Sequence, residues 1–325
     1  MTGGKKAYGQ AEREERRARA LRQNLHRRKR QARERAEAPA AAEVECFFHE
    51  PTFTATYLLA DPESGEAAVV DSVLDYEASS GRTRTASADK VLEAIEARGL
   101  KVRWILETHV HADHLSAAQY LKKVTGAPIG IGADVAVVQR TFRPLFGAWD
   151  MVPDGSQFDR LFAEGDRVPL GGLSIEVMHT PGHTPACITY RIGNAIFVGD
   201  TIFMPDYGSA RCDFPGGDAA TLYRSVRRLL ALPGDTRMFL CHDYKAPGRD
   251  SFVWETSVKD QRERNIHIKE GVSEADFVAL RRGRDAKLSM PALILPSVQV
   301  NMRAGRFPPA DADGSVYLRI PVDRV

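Results

Sequence analysis

The sequence predicts one layered α/β domain over residues 43–325, preceded by a basic extension over residues 1–42. Short apolar segments rich in β-branched residues are separated by turn residues, which is typical of strands. Other segments carry the apolar spacing of helices and end at a glycine. Strand-like and helix-like segments mix without any repeat, so the pattern predicts packed layers and excludes a solenoid.

The extension differs chemically from the rest of the chain. Residues 1–42 carry 13 Lys and Arg against 5 Glu, a net charge of +8, whereas the remainder carries 32 basic and 38 acidic residues. Its helix-forming composition with few apolar residues predicts an exposed helical or disordered tail. The charge would also suit an arm that recruits nucleic acid or another acidic partner. No aromatic residue beyond Tyr8 accompanies the basic ones, which argues against nucleic acid.

The elements follow in chain order. We expect antiparallel strands at 46–48, 52–59 and 67–71, a helix at 88–98 before Gly99, and a buried strand at 102–106. A helix at 115–125 precedes strand-like segments at 128–131, 173–179, 186–192 and 195–198, then a helix at 221–230 and a strand at 237–241. Ser273 begins a capping box and a helix through about residue 281, within an accessory C-terminal segment that starts near residue 255.

Several classes of protein are excluded by composition. No run of about 18 apolar residues could span a membrane, and the charged start lacks the apolar core of a secretory signal. The four cysteines are widely spaced and form no C-x-x-C pair, as in reduced proteins. We therefore expect a cytoplasmic protein.

Three of the nine histidines fall within six residues after the strand at 102–106. His109, His111 and His114 stand there with Asp113. Imidazole and carboxylate are ligands of zinc, iron and manganese, and alternate residues past a strand end project to the same side. His183, Asp200 and His242 each follow a later strand, where loops over a rigid sheet commonly carry active-site groups. His26, His49, His179 and His267 lack such neighbours and are interpreted as structural or surface groups.

The motif T-H-x-H-x-D-H, followed by P-G-H-T, G-D and a late histidine, resembles the metallo-β-lactamase superfamily over residues 44–245. That resemblance implies an αββα four-layer sandwich with metals in a cleft at one edge of the two sheets. It implies a first metal site of His109, His111 and His183 bridged by Asp200. A second would use Asp113, His114, Asp200 and His242.

Three short segments resemble the persulfide dioxygenases within that superfamily: Arg211-Cys212-Asp213-Phe214, His242-Asp243-Tyr244 and Asn301-Met302-Arg303. The segment at 204–207 departs from the mitochondrial type and looks more like bacterial members named β-lactamase-like hydrolases. The resemblance implies one Fe(II) per chain, held by His109, His183 and Asp200 as a 2-His-1-carboxylate triad. The iron would serve the oxidation of glutathione persulfide by O2 to sulfite and glutathione. His111 and the catalytic candidates Asp113, His114 and His242 would surround the iron and orient ligands or water.

Glutathione carries two carboxylates and an amine, so its pocket should contain a cation. Arg211 is the matching candidate, with Asp213 ordering it or binding the amine. Tyr244 could hydrogen-bond the peptide part, and Asn301 and Arg303 could close the pocket. Two alternatives remain open: a structural salt bridge between Arg211 and Asp213, and a persulfide relay at Cys212. A lone cysteine more often packs as a small hydrophobe.

The competing reaction is thioester hydrolysis by a dinuclear hydroxyacylglutathione hydrolase of the glyoxalase II type, with two Zn or Fe ions and a bridging hydroxide. A third hypothesis is a non-catalytic role in which the basic extension recruits a partner. Many members of the superfamily dimerise, so a homodimer is compatible with the resemblance.

Overall fold

The computed structural model describes residues 41–324. The basic extension lies outside the described residues except for its last two positions. Two six-stranded sheets and seven helices form the domain. The first sheet has the order β1 (Glu43–His49), β2 (Thr54–Ala60), β3 (Glu66–Val70), β6 (Lys101–Leu106), β8 (Ile129–Gly132), β9 (Arg160–Phe162). It is antiparallel across β1, β2 and β3 and parallel from β3 to β9.

The second sheet follows chain order, with β10 (Arg167–Leu170), β11 (Leu173–His179), β12 (Ile188–Ile192), β13 (Ala195–Phe197), β14 (Arg237–Phe239) and β15 (Glu255–Ser257). Only β13 and β14 are parallel in it. A small third sheet joins β4 (Val73–Glu77), β5 (Arg82–Arg84) and β7 (Leu115–Ser116).

The helices cover the outer faces of the two large sheets. Against the first sheet lie α1 (Ala86–Ala97), α2 (Ala118–Thr125), α3 (Val135–Phe146) and α7 (Ile294–Asn301). Against the second lie α4 (Ala219–Leu230), α5 (Val258–Arg264) and α6 (Glu274–Asp285). Between the sheets, Tyr57 and Leu59 of β2 pack with Tyr190 of β12 and Phe239 of β14. This is the expected αββα sandwich.

Adjacent residues of β2 show why all seven of its residues are buried. Leu58 packs beneath the helices of the first sheet, whereas Tyr57 and Leu59 face the second sheet. A strand covered on both faces has no solvent side, so the alternation of polar and apolar residues is lost.

The predicted elements differ from the structure in one place near the metal motif. The helix expected over 115–125 is a short strand, β7, followed by α2 from Ala118. Ser116 pairs with Val73 of β4. The apolar residues at the start of 115–125 are compatible with a strand as well as a helix, so the sequence pattern did not indicate this pairing. No helix within residues 41–324 has both the length and the apolar content needed to cross a membrane. The four cysteines are free thiols.

Candidate metal centre

Four strands end at the same edge of the sandwich, and each delivers part of the site. The loop after β6 carries residues 107–114, that after β11 carries His183, that after β13 carries Asp200, and that after β14 carries His242. A bridge between Thr54 and His242 joins the edges of the two sheets there. The seven expected residues therefore meet in one place because their strands terminate together.

The first group of possible metal ligands consists of His109, His183 and Asp200. Their ligand atoms lie within 4.8 Å of one another. The Nε2 atom of His183 is 3.7 Å from Asp200 Oδ2, and that of His109 is 4.0 Å from the same oxygen. All three residues are buried.

The hydrogen bonds of the two imidazoles fix which nitrogen faces Asp200. His183 Nδ1 lies 2.8 Å from the carbonyl of Arg211, which can only accept, so Nδ1 carries the proton. The hydroxyl of Thr108 donates to Asp71 and therefore accepts from His109 Nδ1 at 3.0 Å. Burial, followed by the neighbouring imidazoles, holds the pKa of His109 well below its usual range. Both rings thus use Nδ1 within the protein and turn Nε2 toward a carboxylate, an arrangement that fits a metal cation.

His111 is held by a separate buried cluster. Its Nε2 lies 3.0 Å from Asp71 Oδ1 and 3.2 Å from Glu107 Oε2. Burial opposes protonation, but the carboxylate of Asp71, together with Glu107, outweighs it and raises the pKa of His111 well above its usual range. The ring of His111 lies beside that of His109, with centroids 4.1 Å apart, but its Nε2 faces Asp71 and Glu107. The resemblance put His111 in one site with His109 and His183.

A second group of possible ligands joins His111 to Asp113, His114 and His242. His242 Nδ1 donates to the carbonyl of Phe53 at 3.1 Å, which leaves its Nε2 between Asp113 Oδ2 at 3.2 Å and Asp200 Oδ1 at 3.3 Å. The buried Nε2 atoms of His114 and His242 make no hydrogen bond within residues 41–324. Burial lowers the pKa of His114 to about 4. This group also has the donors and the charge to hold a cation.

Asp71 is a site residue that the sequence reasoning missed. It follows β3 with a φ of 52°, and its carboxylate accepts from Thr108 N at 2.8 Å as well as from His111. The carboxylate of Asp71 therefore positions the loop that carries His109 and His111. An acid directly after an apolar strand, as at Asp200, was the signal that could have indicated it.

Asn301 and Arg303 do not lie where the expectation put them. The amide of Asn301 is buried beneath the loop of residues 107–114, the metal loop, where it donates to the carbonyls of His111 at 2.9 Å and His114 at 2.7 Å. Arg303 pairs with Asp150 at 2.8 Å, and it lines a separate cavity. Neither side chain lines the cavity over the candidate metal ligands.

A cavity of about 370 Å³ opens directly over the ligands and is lined by Asp113, His183 and Asp200 at its base. Its walls are largely apolar and include Phe53, Phe203, Phe214, Leu288 and Leu293. Of the expected substrate residues, Arg211 and Tyr244 line it. Tyr244 also stacks on His242, with ring centroids 5.6 Å apart.

The guanidinium of Arg211 forms two bonds of 2.6 Å with Asp213 and donates to the carbonyl of Ser289 at 2.7 Å. The structural salt bridge between Arg211 and Asp213, one of the two alternatives, is therefore present. Cys212 is buried, and burial raises the pKa of its thiol above the usual range. A buried, protonated thiol packs as a small apolar side chain.

The remaining histidines within residues 41–324 lie outside both ligand groups. His49 pairs with Asp75, and His179 lies near Asp134. His267 is buried and accepts from the backbone N–H of Ser209 at 2.9 Å. His26 lies outside the described residues.

Comparison with known proteins agrees with this geometry. Residues 49–242 match the family model described as the metallo-beta-lactamase superfamily. A probable metallo-hydrolase of Burkholderia pseudomallei is 57% identical, with 87% of this chain and 99% of that protein covered. Glyoxylase B2 of Dictyostelium discoideum is 45% identical, over 87% of this chain and 97% of that protein.

Persulfide dioxygenases are also among the relatives. The human mitochondrial persulfide dioxygenase ETHE1 is 30% identical over 85% of this chain and 94% of its own length. The crystal structure of ETHE1 from Myxococcus xanthus superposes with a TM-score of 0.65 at 29% identity, covering 81% of this chain and 100% of that one. Together the fold, the family match and these relatives show that the chain belongs to the metallo-β-lactamase superfamily.

Proposed function

We propose that this protein is an Fe(II)-dependent persulfide dioxygenase. In the proposed reaction, glutathione persulfide, O2 and water give glutathione, sulfite and two protons. The S–S bond breaks, the outer sulfur takes up three oxygen atoms, and the two sulfurs together lose the four electrons that reduce O2.

The observation that carries the proposal is that His109, His183 and Asp200 bring one ligand atom each within 4.8 Å of one another, with His183 and Asp200 at the base of the cavity. Two imidazoles and one carboxylate form the ligand set of non-haem iron oxygenases, and Fe(II) held this way keeps positions open for a sulfur ligand and O2. The engagement of His111 by Asp71 and Glu107 supports a set of three rather than four. We therefore propose one iron per chain.

The chain's own residues would hold the ligands and order the reactants. Thr108 and the Arg211 carbonyl fix the tautomers of His109 and His183. Asp113 lines the cavity and lies 3.2 Å from His242, so we propose that Asp113, His114 and His242 orient the water that completes the reaction. The apolar walls would exclude other water from the base of the cavity.

Oxygen consumption tests the proposal. The full chain would be loaded anaerobically with one equivalent of Fe(II) and given glutathione persulfide, and O2 uptake and sulfite release would be followed together. We expect one sulfite per O2, with uptake lost in His183→Ala. Fully iron-loaded protein that consumes no O2 above the His183→Ala background would contradict the proposal.

The second candidate is a dinuclear hydroxyacylglutathione hydrolase. It is favoured by the second ligand group, in which His242 Nε2 faces two carboxylates without a hydrogen bond. A second cation would satisfy these atoms, and the relatives named metallo-hydrolase and glyoxylase agree with hydrolysis. Two metal ions per chain, together with cleavage of S-lactoylglutathione in the absence of O2, would establish this reaction instead.

A further inference from the structure

Three arginines line the cavity above the metal ligands: Arg211, Arg281 and Arg284. Arg211 is neutralised by Asp213, as described above. Arg281 is buried and bonds Asp285 at 2.7 Å, and it also donates to the Ser209 carbonyl at 2.9 Å. The positive charges of these two side chains are therefore compensated within the protein.

Arg284 differs from both. It lies in the last turn of α6, is exposed, and makes no ion pair or side-chain hydrogen bond with residues 41–324. Its charge contributes to lowering the pKa of His267, behind burial and Arg281. The acids that line the cavity, Asp113 and Asp200, lie at the base among the metal ligands. The uncompensated charge of the cavity wall is thus the guanidinium of Arg284.

The cavity accordingly has two chemically different parts. At the base, imidazoles and carboxylates would hold the metal ion that binds the sulfur of the substrate. The walls beside Arg284 are apolar, including Leu288 and Leu293 from the loop after α6. A ligand that satisfies both parts carries sulfur at one end, an uncharged middle and an anion at the other end.

We infer that Arg284 binds a carboxylate of the substrate and thereby selects persulfides of carboxylate-bearing thiols over neutral ones. This inference rests on the proposed function for the identity of the sulfur group. A planar guanidinium with free donors binds a carboxylate through two parallel hydrogen bonds. Loss of one such charge-assisted interaction weakens binding by about 10- to 100-fold. Arg284 would be a specificity-determining residue contributed by the accessory C-terminal segment.

The binding test uses metal-loaded full chain and two probes, glutathione and glutathione diethyl ester, measured by calorimetry. Arg284→Ala should weaken glutathione binding by about 10- to 100-fold and leave ester binding within about twofold. Arg282→Ala is the matched control, because Arg282 is exposed on the same helix and lies outside the cavity. Unchanged glutathione binding in Arg284→Ala, or an equal loss for both probes, would overturn the inference.

Turnover separates this inference from the proposed function. With glutathione persulfide, Arg284→Ala should raise KM by a similar factor while kcat changes much less. If the wild-type protein consumes no O2 with any persulfide, the dioxygenase proposal fails, but calorimetry still decides whether Arg284 recognises a carboxylate. If turnover occurs and the KM values for charged and esterified substrates rise equally, the inference fails and the dioxygenase proposal stands.

Discussion

The side-chain amide of Asn301 donates a 2.7 Å hydrogen bond to the backbone carbonyl of His114, 187 residues earlier in the chain. The same amide donates to the carbonyl of His111, and its oxygen accepts from the N–H of Ser116. One buried side chain at the end of α7 thus satisfies two carbonyls of the metal loop and one N–H of β7. Asn301 is a positioning residue for the histidines and does not contact the cavity.

Replacing Asn301 by alanine should destabilise the protein and weaken metal binding together. Three buried polar groups would lose their partners, at a cost of ~3–5 kcal/mol in total. We expect the melting temperature to fall by roughly 6–15 °C. The control is Asn194→Ala, because Asn194 is exposed and donates a single hydrogen bond to Asp235. A full metal content and an unchanged melting temperature in Asn301→Ala would refute the positioning role.

Metal content in single variants should distinguish the two ligand groups. His183→Ala removes a member of the first group, and we expect iron content to fall from one per chain toward zero. His114→Ala removes a member of the second group, and we expect iron to be retained with a lowered kcat. Elemental analysis measures both. Wild-type protein with two metals, falling to one in His114→Ala, would instead indicate a dinuclear centre.

Gly199 precedes the candidate ligand Asp200, and both its backbone conformation and its close neighbour disfavour a side chain at this position. Its φ is 52°, and an added Cβ would lie 2.5 Å from Thr108 Oγ1 and 2.7 Å from Thr108 Cβ. Gly199→Ala should therefore displace Thr108 from Asp71 and lower both stability and metal content.

The control for this variant is Gly193→Ala. Gly193 has a similar φ of 56° with nothing within 4 Å of the added atom, so only the backbone penalty of ~1–2 kcal/mol applies. Chemical denaturation of both variants measures the difference. Equal losses of stability would show that contact with Thr108 has no role.

His267 should make stability depend on pH below neutrality. Burial, followed by the charges of Arg281 and Arg284, lowers the pKa of His267 to about 4. Because the unfolded side chain takes up its proton near pH 6.5, the folded state loses stability as pH falls from 6.5 to about 4, by ~3 kcal/mol at most. Above pH 6.5 both states are neutral at this residue, and the contribution is constant.

His267→Asn keeps an acceptor for the Ser209 N–H without a titrating ring. Between pH 6.5 and 4, urea unfolding of the variant should show a shallower loss of stability than the wild type, by about one proton. Parallel pH profiles for the two proteins would show that His267 does not carry this dependence.

Much of the fold could be predicted because its strands carry strong local signals. The segments at 67–71, 102–106 and 173–179 are apolar and bounded by turns, and they correspond to β3, β6 and β11. Helix α3 was not predicted, although Val135 to Phe146 has apolar spacing, because Pro144 interrupts its last turn. The short strands β5, β9 and β15 have only three residues each and depend on pairing with distant segments.

The sequence by itself indicated a layered α/β domain and the seven histidines and aspartates of the candidate metal centre, because ligand type and position after a strand are local properties. The αββα arrangement was implied by the resemblance of its motifs to the metallo-β-lactamase superfamily. Tertiary structure decided how those seven residues divide. Asp71 and Glu107 engage Nε2 of His111, and Asn301 bonds the carbonyls of the metal loop rather than lining the cavity. It also decided the pairing of the three arginines that line the cavity: within residues 41–324, Arg211 and Arg281 pair with acids and Arg284 does not. Such partnerships depend on distances between side chains from different elements, and no spacing along the chain encodes them.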